Sequence, residues 1–235
     1  MSIAEKLATI AENEARVYEA GRRAFMDDYQ DNGNRVDYMR AFGGCGWNDK
    51  TFRPTQNIRP NNANNMFSDC DITDLKGLLE SCGVELDFSG LTYNRISQPF
   101  SDSEITNIGV LDVSSCTQLT YLLWRALKLV NVDKVILSSD GNATFATTSF
   151  QSCGALKEIR FEGVIGQDIN FSACPLSVAS MKNIISHLMD LNGTGNEFTK
   201  LVKFSNACWN ALEADSTAPS GSTWKDYVNS LGWNT

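Results

Sequence analysis

A nine-residue phrase occurs twice in this chain: FSDCDITDL at 67–75 returns as FSDSEITNI at 100–108, with Phe, Ser, Asp, Ile and Thr in the same places. A sequence that copies itself at this distance folds as successive similar units, each burying its apolar side against the next. A related phrase, Phe-x-x-Cys-x-x-Leu-x-x-Ile-x-Phe, runs through Phe150, Cys153, Leu156, Ile159 and Phe161, and its spacing is matched by Leu123, Ala126, Leu129 and Val132. Phe42 with Cys45, and Phe171 with Cys174, begin further copies.

The starts at 42, 67, 100, 123, 150 and 171 lie 21 to 33 residues apart, the period range of a solenoid with loops of variable length. After several starts comes a short alternating segment: Val84 to Phe88, Val110 to Val113, Val135 to Leu137 and Ile159 to Phe161. Alternation of this kind is a strand with one buried and one charged face. About six such strands at ~4.8 Å spacing give a parallel sheet roughly 25–30 Å long. Turn signals at 138–142 (SSDGN) and 163–166 (GVIG) separate the units.

The two ends read differently. Ile3, Leu7, Ile10 and Val17 place apolar groups on one face of an amphipathic helix, with Ser2 and Glu5 as a capping box. The helix is either a docking or trimerising segment or a helix packed on its own domain. Charged residues interrupt it where a secretory signal needs an apolar run, so the expected product stays in a reducing cytoplasm. After Pro175, Ser177 caps a periodic helix running to Leu191, NGTG stops it, residues 198–204 read as a strand, and helices follow over 206–214 and 223–231. Such a module covers the open end of a stack of repeats and blunts its sheet edge. The domain reading is a helical leader over 1–37, a repeat body over 38–175 and a capping module over 176–235.

Composition narrows the chemistry. A net charge of −8 leaves no basic surface for nucleic acid. No apolar run approaches the ~18 residues of a membrane helix, so insertion is not expected. His187 is the single histidine, which removes multi-histidine metal sites. Cys45, Cys70, Cys153 and Cys174 hold equivalent repeat positions, but Ser103 and Ala126 stand there in sister units. A metal ligand or bridge partner does not tolerate alanine, whereas a small buried filler does, so these thiols read as packing and neither metal nor cofactor is implied. Cys82, Cys116 and Cys208 read the same way. Glu85, Asp87 and Asp112 fall on the outward side of neighbouring strands, yet nothing near them separates their acidities as paired carboxylate catalysis requires, so no catalytic residue is assigned. With Arg160, Glu162 and Asn170 from later units they form the candidate binding face. Tyr93, Tyr121, Trp124 and Trp47 either add flat contact area to it or belong to the core.

The Phe-x-x-Cys-x-x-Leu phrase followed by Ile-x-Phe resembles the BspA-like leucine-rich repeat of bacterial and phage proteins, over about residues 38–175. Ser103, Ala126 and Leu123 depart from that pattern. The leader and the tail ending in Gly232 and Trp233 resemble those of prophage-encoded repeat proteins found among tail genes. The resemblance implies an α/β leucine-rich-repeat solenoid with a parallel sheet, located in a virion. It implies a non-enzymatic, tail-associated protein that contacts other virion proteins through residues 1–37 and a host surface protein or glycan through the repeats. The alternatives are a structural tail, baseplate or capsid-decorating component, and a carbohydrate-active enzyme.

Overall fold

The computed structural model describes residues 36–37, 41–44, 46–91, 96–146, 148–215, 218–219 and 221–235. The expected leader helix, with Ile3, Leu7, Ile10 and Val17, lies outside the described residues, as do Cys45 and Tyr93. At the end of the segment assigned to the leader, Val36–Asp37 (β1) pairs in parallel with Pro60–Asn62 (β2).

The aromatic starts of the repeated phrase pack ring against ring. Phe42 lies 5.1 Å from Phe67, and Phe67 stacks on Phe100 at 5.9 Å with planes 9° apart. Phe150 meets Phe171 at 4.2 Å, and Phe171 meets Phe204 at 6.2 Å. Leu123, which replaces phenylalanine, is fully buried. Backbone amides follow the same order: Phe42 N donates to Met66 O, Phe67 N to Pro99 O and Leu123 N to Ser149 O. Two residues past the start, Gly44, Asp69, Asp102, Arg125 and Ser152 each adopt a left-handed φ between 55° and 64°. Four residue types at these five positions share one unusual conformation because the turns after these starts have the same shape.

Asn107–Asp112 (β3), Asn131–Ile136 (β5) and Glu158–Glu162 (β7) form one three-stranded parallel sheet. Gln118–Leu119 (β4) pairs with Thr144–Phe145 (β6), and Ile169–Phe171 (β8) joins Lys200–Phe204 (β9) and Trp233–Asn234 (β10) in another parallel sheet. The single six-stranded sheet expected from sequence is therefore divided into smaller parallel sheets. The 84–88 segment contributes only an isolated bridge, Ile58 to Leu86, because a helix, Leu75–Cys82 (α1), occupies the chain just before it and packs on β3. Asp74 caps α1 by accepting from Gly77 N, and Gly83 ends it at φ 67°. A register shift between Val132 and Val135 turns Asp133 and Lys134 out of strict alternation.

After Pro175 the elements follow the expected order with shorter bounds: Val178–Ser186 (α2), β9, Asn206–Asp215 (α3) and Trp224–Ser230 (α4). Ser177 and Thr223 cap α2 and α4. α2 stops at Ser186, before the expected Leu191, and Leu188 forms a parallel bridge with Ile165. Phe198, expected to open the strand, is 58% exposed at φ 56°, and β9 begins at Lys200. One continuous set of buried apolar side chains extends from Ala41 to Trp233. Among the described residues no helix is long and apolar enough to cross a membrane.

Candidate functional site

A groove of about 480 Å³ opens between α1, the 84–87 segment and the outer face of β3 and β5. It brings together three of the residues singled out from sequence, Glu85, Asp87 and Asp112. It adds four that sequence reasoning missed: Lys76 and Glu80 on α1, Val110 on β3 and Asp133 on β5. The missed pair on α1 had a readable signal, the cap Asp74 ahead of Leu75, Leu78 and Leu79 with Gly83 as the stop. Asp133 had none, because the strand irregularity that turns it outward is a pairing event.

The floor is aliphatic. Leu86 and Ile136 are half-buried and Val110 is 47% exposed. Carboxylates rim this floor. Asp87 Oδ1 accepts from Ser89 N at 2.9 Å and Ser89 Oγ at 2.6 Å, and Asp112 Oδ1 accepts from Ser114 N at 3.1 Å and Ser114 Oγ at 2.6 Å. Asn170 Oδ1 accepts from Ser172 N at 3.0 Å in the same way. Three predicted binding residues thus share a structural task, accepting from the amide two residues on in a local turn, and each follows the pattern Asx, buried apolar, Ser. Asp87 also lies 3.8 Å from Arg59 Nε.

Lys76 lies across the groove. Its Nζ is 2.6 Å from Asp133 Oδ2 and 4.0 Å from Glu80 Oε1, and the hydrogen bond to Asp133 raises its pKa above the ordinary lysine range. Partial burial alone pulls the Asp133 carboxyl upward, but bonds from Lys76 and Asn131 more than offset it and hold the group below the ordinary range. The lysine stem lies over Gly109, where an added Cβ would meet Lys76 Cγ at 3.7 Å.

The remaining candidates are dispersed. Arg160 lines a second hollow of about 460 Å³ over β5 and β7, which shares Asp133 with the groove. Glu162 pairs with Lys134 Nζ at 2.6 Å, a contact that lowers its pKa. Tyr121 and Trp124 are half-buried and pack edge to face at 5.5 Å on the turn around Leu123, not in the groove. Arg125 covers the Trp124 ring at 5.3 Å and forms an ion pair with Asp102 at 2.7 Å. Trp47 is 1% exposed and belongs to the core, which settles that alternative.

The fold and groove define a mixed α/β protein with parallel sheets and an open, acid-rimmed aliphatic surface. Comparison with protein-family models, curated proteins and solved structures found no match.

Proposed function

We propose that this chain is a non-enzymatic binding protein whose repeated units are coils of a BspA-like leucine-rich-repeat solenoid, carried in a phage tail and recognising the host surface. The reading rests above all on the open groove, where Glu85, Asp87 and Asp112 converge over a partly exposed aliphatic floor. Asp87 and Asp112 are each tied into a local turn, which fixes their direction without closing the surface to a partner. The stacked phenylalanines and the repeated left-handed turns support successive coils. In this reading residues 1–37 attach the chain to other virion proteins or to copies of itself.

The test uses particles released by the strain that carries the sequence. The chain bands with purified particles in a density gradient, and the purified protein adsorbs to host cells without releasing reducing sugar from their polysaccharide. Recovery only in the particle-free lysate overturns the virion assignment, particle association without adsorption makes the chain a structural component, and sugar release makes it an enzyme.

A further inference from the structure

The groove lining carries information about its occupant. Among the described residues, seven of the fourteen that line it are leucine, isoleucine or valine, and none of the fourteen is aromatic. Sugar rings are held by stacking on flat aromatic faces, and here Tyr121 and Trp124 face each other and Arg125 instead of the groove. Among the described residues the charged lining groups are Glu80, Glu85, Asp87, Asp112, Asp133 and one cation, Lys76, with Arg59 reaching Asp87 at 3.8 Å from outside the lining. That lysine already shows the preferred arrangement: an aliphatic stem over Gly109 and an ammonium group against Asp133. A second copy of the chain, with a net charge of −8, is a poor match.

We infer that the groove takes a basic segment of a partner polypeptide, in which lysine or arginine alternates with aliphatic residues. The aliphatic residues cover Leu86, Val110 and Ile136, and the cations meet Glu85, Asp87 and Asp112. Lys76 competes with the incoming cations for Asp133. The inference builds on the proposed function by choosing polypeptide over glycan as the ligand of the same face.

Calorimetric titration of the full chain with the peptide Ac-Lys-Val-Lys-Val-Lys-amide, its glutamate counterpart and a chitosan tetramer tests it. The basic peptide binds, the acidic one does not, and affinity falls as salt rises from about 50 mM to about 500 mM. The triple variant Glu85→Gln, Asp87→Asn, Asp112→Asn weakens binding about tenfold or more. Its asparagines still accept the turn hydrogen bonds, and an unchanged melting curve verifies the fold. Lys76→Met tightens binding several-fold by releasing Asp133, an effect that a purely structural lysine does not produce. Chitosan binding without peptide binding, or peptide binding indifferent to both variants, overturns the inference. If the peptide fails but host adsorption is lost in the triple variant, the ligand class is wrong while the groove remains the binding face. If adsorption survives the triple variant, the groove reading falls too.

Discussion

Three buried thiols, Cys153 and Cys174 of the repeated phrase and Cys208 outside it, act as hydrogen-bond donors that small size lets into the core. Cys153 Sγ donates to Leu123 O at 2.8 Å, Cys174 Sγ to Phe150 O at 3.6 Å and Cys208 Sγ to Cys174 O at 3.5 Å, so each satisfies a carbonyl contributed by an earlier stretch of chain. Ser103 fits the same small space but donates within its own turn, to Phe100 O at 2.8 Å, and Ala126 keeps only the small volume. Burial opposes ionisation: it pushes the Cys70 thiol from 9.0 up to about 12 and Cys116 up to about 11. The neighbouring Cys153 thiol, followed by burial, raises Cys174 further. A folded state that holds a proton which the unfolded chain releases near pH 9 loses stability as pH rises through 9 toward 11–12, at up to about 1.4 kcal/mol per pH unit for each such thiol. Melting curves between about pH 8 and about pH 10.5 are expected to shift downward, and less steeply in Cys70→Ser. An identical slope in that variant places the loss elsewhere. Equivalence of the thiol positions is legible in the sequence as Cys, Ser and Ala at one spacing. The carbonyl that each thiol meets is not, since it comes from 24 to 34 residues away.

At the scale of elements, α2 shows how a parallel sheet is finished by a helix. Ser180 Oγ accepts from Ile159 N at 3.0 Å, and Asn183 Oδ1 accepts from Phe161 N at 2.6 Å while its Nδ2 donates to Phe161 O at 3.4 Å. Two side chains three residues apart on one helical face thereby stand in for the next strand along the edge of β7, which leaves no row of open amides there for another chain to pair with. Removing them strands buried backbone groups, at about 1–3 kcal/mol for each unsatisfied group. Urea titration of Ser180→Ala and Asn183→Ala is expected to show losses in that range, larger in the double variant. Losses below about 0.5 kcal/mol would show that water replaces the side chains. The caps Ser177 and Thr223 were readable because they act within one turn of chain. The end of α2 was not: periodicity runs on to Leu191, but pairing of Leu188 with Ile165 draws the chain out of the helix. α1 carries cap signals of the same short range, Asp74 at its start and Gly83 at its end.

At the scale of the whole molecule, the continuous apolar interior ties the N-terminal ring stack of Phe42, Phe67 and Phe100 to the C-terminal one of Phe150, Phe171 and Phe204. Phe100 is fully buried between Phe67 at 5.9 Å and Phe88 at 6.4 Å, so Phe100→Ala is expected to cost about 3–5 kcal/mol. Because Trp47 and Trp233 report from opposite ends of the same buried set, tryptophan fluorescence and far-ultraviolet circular dichroism should follow one shared transition, displaced as a whole in the variant. Two separated transitions would show that the ends unfold independently. The repeat spacing, the aromatic and thiol positions, the caps and the acidic character of the outward face were determined by the amino-acid order itself, because each depends on local periodicity or on side-chain size. Which strands share a sheet, the outward turn of Asp133, the closure of β7 by Ser180 and Asn183, and the meeting of α1 with β3 to make the groove were decided only in three dimensions. Each of these joins groups separated along the chain, and long-range pairing is chosen by what every other element has already buried.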